Sequence, residues 1–84
     1  MEKYRQEVLI SALLTVNRNL KPGENLHGRF DALLKGISDE DRRKLSQEVG
    51  LRLGAWRESQ QNLEHHTSSP YLELEIYFRP TLGP

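Results

Sequence analysis

Tyr71-Leu72-Glu73-Leu74-Glu75-Ile76-Tyr77-Phe78 is the stretch on which the reading of this chain turns. Leu72, Leu74, Ile76 and Phe78 alternate strictly with Tyr71, Glu73, Glu75 and Tyr77, and Pro70 and Pro80 bracket the run. A period of two between prolines predicts a β-strand with one apolar and one mixed face. Backbone N–H and C=O groups need partners, and even an isolated hairpin is marginal in water. With no convincing second strand, this one is expected to pair across chains. Its partner is its twin in a homodimer, or the exposed sheet edge of another protein.

Upstream of the run, the patterning is helical. Tyr4, Val8, Ile10, Leu13, Leu14, Val16 and Leu20 recur at the spacing of one broad helix face, and Lys21-Pro22-Gly23 then supplies a turn. Leu26, Phe30, Leu33, Leu34 and Ile37 mark a second helix, with Asn25 placed to cap it and Gly36 to close it in a left-handed conformation. Ser38 followed by Asp39, Glu40 and Asp41 is a strong helix start, because a hydroxyl cap and three carboxylates meet the positive end of the helix dipole. Leu45, Val49, Leu53, Trp56 and Leu63 continue that third helix. Glu40 with Lys44, and Glu48 with Arg52, stand four apart in the favourable order.

The fold class expected is therefore mainly α with a small β element. Three helices lie at about 3–20, 26–35 and 39–65, followed by a linker at 66–70, the strand at 71–78 and a tail at 79–84, all in one small domain. A competing pattern runs through Val49-Gly50-Leu51-Arg52-Leu53-Gly54-Ala55, which also alternates and would make an internal partner for the strand. Strongly helical flanks and two glycines weigh against it. On the helical reading Gly50 and Gly54 lie four residues apart and leave a smooth strip. A packing reason is then expected, either the first helix crossing there or a second copy of the third helix.

Composition narrows function mainly by exclusion. Twelve basic and twelve acidic residues cancel, which argues against a broadly basic nucleic-acid platform. Cysteine is absent, which removes disulfides, thiolate nucleophiles and cysteine metal sites and suits a reducing compartment. The apolar stretch Val8–Val16 is far shorter than the ~20 residues of a bilayer span. Met1-Glu2-Lys3-Tyr4-Arg5 is followed by no signal-cleavage pattern, so a cytoplasmic protein without membrane attachment is expected.

No residue grouping points to catalysis. Glu73 and Glu75 share a side of the predicted strand, but paired carboxylates act in deep clefts that a chain this short hardly encloses. His65 and His66 are adjacent and diverge on a helix, so neither a metal nor a cofactor is expected. The expected function is that of a small non-catalytic interaction protein, a regulator, adaptor or inhibitor. In general kind it resembles the small regulatory proteins of bacteria and their phages. Tyr71, Leu72, Leu74, Ile76, Tyr77 and Phe78, with Trp56, are the candidate interaction residues, Trp56 and Phe78 being assigned to burial.

The alternative is a dimeric nucleic-acid-binding regulator using the basic triplet Arg42, Arg43 and Lys44, which equally suits contact with an acidic partner. The spacing of Phe30 to Val49, with Ala32 four residues before Gly36, resembles a DNA-binding helix-turn-helix unit. Asp39, Glu40 and Asp41 would, however, set carboxylates beside phosphates. Arg42 also falls where that motif wants an apolar residue, and successive residues ~100° apart spread the triplet around the helix.

Overall fold

The computed structural model describes residues 1–60 and 69–82. Its first boundary is set by proline and glycine. α1, Lys3–Arg18, buries Ile10 and Leu13 and gives way to the turn at Lys21-Pro22-Gly23. Gly23 there takes a φ of 88° and the Glu24 amide bonds to the Lys21 carbonyl at 3.1 Å. Only glycine adopts that φ without strain, so Pro22 and Gly23 occupy the centre of a type II turn.

α2, Leu26–Leu33, begins with the Asn25 Oδ1 accepting from the Gly28 amide at 3.0 Å. Gly36, with a φ of 82°, turns the chain out of the helix and Ile37 packs back against the core. α3, Asp39–Ser59, opens on the Ser38 Oγ accepting from the Asp41 amide at 3.1 Å. Both caps satisfy backbone donors that a helix start would otherwise leave exposed.

The C-terminal run corrects the sequence reading. Leu72–Phe78 forms a helix, α4, continued by a 3-10 turn at Arg79–Leu82. No strand occurs among the described residues, and Val49–Ala55 lies within α3. The expected α+β class with a cross-chain strand is therefore replaced, among the described residues, by a helical fold.

The physical reason is the need of a lone strand for a ladder. A helix satisfies its backbone internally, and here the Glu75 amide reaches the Tyr71 carbonyl at 2.9 Å. The side chains sort accordingly. Leu74, Tyr77 and Phe78 are buried at the i, i+3, i+4 spacing of a helix face. Ile76, assigned to the same strand face as Leu74, is 38% exposed, whereas Tyr77, assigned to the opposite face, is 8% exposed.

A single core joins the four α-helices of the described residues. Ile10 and Leu13 from α1, Phe30 from α2, Leu45 and Val49 from α3, and Leu74, Tyr77 and Phe78 from α4 form one buried cluster with Leu34. α4 rests chiefly on α3, while α1 packs against α2, α3 and α4. Arg52 on α3 ties α1 in through Glu7 and also bonds to Glu48 at 3.1 Å. Burial opposes the charge on Arg52, but these two carboxylates outweigh it and hold its pKa above the ordinary value.

Candidate functional site

The sequence-selected C-terminal residues divide between core and surface. Leu74, Tyr77 and Phe78 point into the core, Tyr71, Leu72 and Trp56 are half-buried, and Ile76 faces outward. Fully burying a side chain such as that of Phe78 contributes about 2–3 kcal/mol, so these positions hold α4 in place.

α4 is further secured by a polar and aromatic joint. The Tyr77 ring meets Phe30 edge-on with centroids 5.1 Å apart and His27 at 5.3 Å. The Tyr77 hydroxyl donates to the Asp31 Oδ1 at 2.5 Å. Burial, and then the hydrogen bond to Asp31, push the Tyr77 phenol above its ordinary pKa. The His27 Nε2 lies 3.9 Å from the Glu73 carboxylate, a longer contact on the rim of the same joint.

Arg42, Arg43 and Lys44 do not act together. The Arg42 guanidinium carbon sits 4.9 Å from the Tyr77 ring centroid and 5.6 Å from that of Phe78, turned toward the α4 joint as a cation over aromatic faces. Lys44 pairs with Glu40 at 3.4 Å. Arg43 stands exposed between two shallow depressions, one shared with Asp39, Arg42 and Pro80 and the other with Glu40, Lys44 and Gln47. His65 and His66 lie outside the described residues.

Gly50 and Gly54 border both a groove on the α4 side of α3 and the exposed outer side of α3. A groove of about 250 Å³ between α3 and α4 has Ser46, Gly50, Leu53 and Gly54 along α3. Arg57, Glu75 and Arg79 complete its lining, with Glu75 and Arg79 paired at 3.4 Å. Among the described residues, and apart from the helix's own backbone and the adjoining residues, no atom comes within 4 Å of a methyl group built on Gly50 or Gly54, so α1 does not cross here. Beside the glycines Leu51 is 70% exposed, the most exposed large hydrophobic after Tyr4 among the described residues. Helical spacing groups Arg43, Gln47, Gly50, Leu51, Gly54 and Glu58 on this outer side, and all six are exposed.

This face is absent from the sequence-selected residues. Its signal was the Gly50 and Gly54 spacing, but a glycine pair alone does not reveal whether an internal helix fills the strip. The sequence matches no protein-family model, and neither curated proteins nor solved structures show a match to it.

Proposed function

We propose that this protein acts by non-catalytic contact with another polypeptide, as a small regulator, adaptor or inhibitor, and that the contact runs along the outer side of α3. The observation that carries this reading is the open pair Gly50 and Gly54 in a 21-residue helix, beside the exposed Leu51. Each glycine weakens the helix by about 1 kcal/mol relative to alanine. Nothing within the described fold compensates by packing against them. A partner backbone lying close along the strip, with Leu51 as an apolar anchor, gives the pattern a use.

The nucleic-acid alternative has less to draw on. Of the three cations assigned to phosphate contact, Arg42 is turned onto aromatic rings and Lys44 is paired with Glu40. Asp39 and Glu40 share the depressions beside Arg43, and carboxylates there repel a phosphate backbone.

A photo-cross-linking residue at Leu51 tests the proposal. Irradiation should yield an adduct with a polypeptide, and Gly54→Gln in the same chain should abolish it while circular dichroism stays helical. The absence of any polypeptide adduct, or an adduct indifferent to Gly54→Gln, would count against contact along this face.

A further inference from the structure

We infer that the outer face of α3 is self-complementary and that its partner is a second copy of this chain, packed antiparallel. The inference rests on the reading that this face meets a polypeptide, and goes beyond it by naming the polypeptide. Its observations are the exposed Leu51, the open space above Gly50 and Gly54, and two charges of opposite sign near the ends of the face, Arg43 and Glu58. Among the described residues neither Arg43 nor Glu58 makes an ion pair.

In a two-fold pair each residue faces its mate in the partner, and that mate faces it in return. Two antiparallel α3 helices centred between Gly50 and Leu51 match positions equally far on either side of that midpoint. Leu51 then enters the hollow at Gly50 of the partner subunit. Gln47 lies over Gly54 of the partner subunit, and Arg43 meets Glu58 of the partner subunit. Every match is made twice. A parallel pair in register would instead set Arg43 against Arg43 of the partner subunit and Leu51 against Leu51 of the partner subunit, opposing like charges and leaving the hollows empty.

The order of charges along the helix thus favours one direction, and the glycines let the backbones approach at the near end of the 8–10 Å range for packed helices. The face is only about 22 Å long from Arg43 to Glu58 at the rise of an α-helix, so a weak, concentration-dependent dimer is expected.

Sedimentation velocity on the intact chain from about 5 to about 500 µM should show mass rising from one chain toward two, the range in which a small interface saturates. Arg43→Glu and Glu58→Arg should each weaken association about ten-fold, and the double variant should restore it, because two symmetry-related pairs are inverted together. Both positions are exposed, and unchanged circular dichroism verifies that the variants fold.

Direction and register have their own readout, helped by the absence of native cysteine. Mixed Gln47→Cys and Gly54→Cys chains should oxidise to the mixed disulfide faster than either chain does with itself. A single-chain mass over the whole range overturns self-pairing. So does a double variant no better than its parents, or a preference for same-site disulfides. If self-pairing fails while the Leu51 cross-link still captures another polypeptide, only the identity of the partner falls. If Leu51 yields no polypeptide adduct either, both readings fall.

Discussion

α2 and α4 are the two shortest α-helices among the described residues, eight and seven residues long, and they form for opposite reasons. α2 carries its own instructions: Asn25 caps its start, and Gly36 turns the chain away after its end. α4 has no side-chain cap at Tyr71, and the two carboxylates in its first turn are the main local support it has. A helix of this length is unstable alone. It persists because Leu74, Tyr77 and Phe78 are buried among the other helices. Local chemistry announces one element, and tertiary contact decides the other.

The largest expected effect tests that difference directly. Phe78→Ala should destabilise the domain by about 3–5 kcal/mol in urea unfolding, since it empties a fully buried aromatic site. Hydrogen exchange should show α4 amides losing protection first, while those of α2 lose less. Uniform loss across both helices would mean that α4 is no more dependent on the core than α2.

Tyr77→Phe is expected to cost about 1–2 kcal/mol at neutral pH, because the ring stays packed while the hydroxyl's bond to Asp31 and its contact with Arg42 go. It also has a pH signature. The folded state raises the Tyr77 pKa through burial and the bond to Asp31, so folding favours the protonated phenol. That contribution is fully present below the unfolded tyrosine value of about 10 and is lost as pH rises through the higher folded value. Thermal melts across the alkaline range should therefore fall less steeply for Tyr77→Phe than for the parent chain. Parallel curves would mean that Tyr77 ionises alike in the folded and unfolded states.

What was legible in the sequence follows the same division. Ser38, Asn25, Gly23 and Gly36 act through neighbours within a few residues, and each does in the structure what its chemistry implies. The alternation in Tyr71–Phe78 was real, but a period of two also contains the i, i+4 pair Leu74 and Phe78. It lacks only Tyr77, which strict alternation places on the opposite, mixed face. The burial that separates the readings comes from residues far away in the chain, such as Phe30, whose ring meets that of Tyr77. The missing ladder partner was itself evidence for a helix, since a helix needs none. The α3 face was half legible: Gly50 and Gly54 could be seen, but whether α1 covered them depended on how the helices cross.

Asn25→Ala should cost about 1 kcal/mol, the usual value for a lost helix cap, and its effect should stay local. Exchange of the Leu26 to Gly28 amides should accelerate while α4 keeps its protection. Loss of protection in α4 with these amides would show that α2 positions α4 more tightly than their few shared side chains imply.

The smallest effect has opposite signs at two glycines. Gly36 turns the chain out of α2 with a φ of 82°, a conformation an alanine side chain disfavours, so Gly36→Ala should lower stability. Gly54 lies inside α3 without such a φ, and nothing from elsewhere among the described residues comes within 4 Å of a methyl group placed on it. Gly54→Ala should therefore raise stability by up to about 1 kcal/mol, through better helix propensity and a less flexible unfolded chain. Urea unfolding at low micromolar concentration isolates the single chain, where no second copy can occupy the hollow. A rise in stability there would mean that glycine at this position is not needed by the isolated fold. A fall would mean that something within the chain already packs against Gly54, and the reason for placing a second copy on this face would go with it.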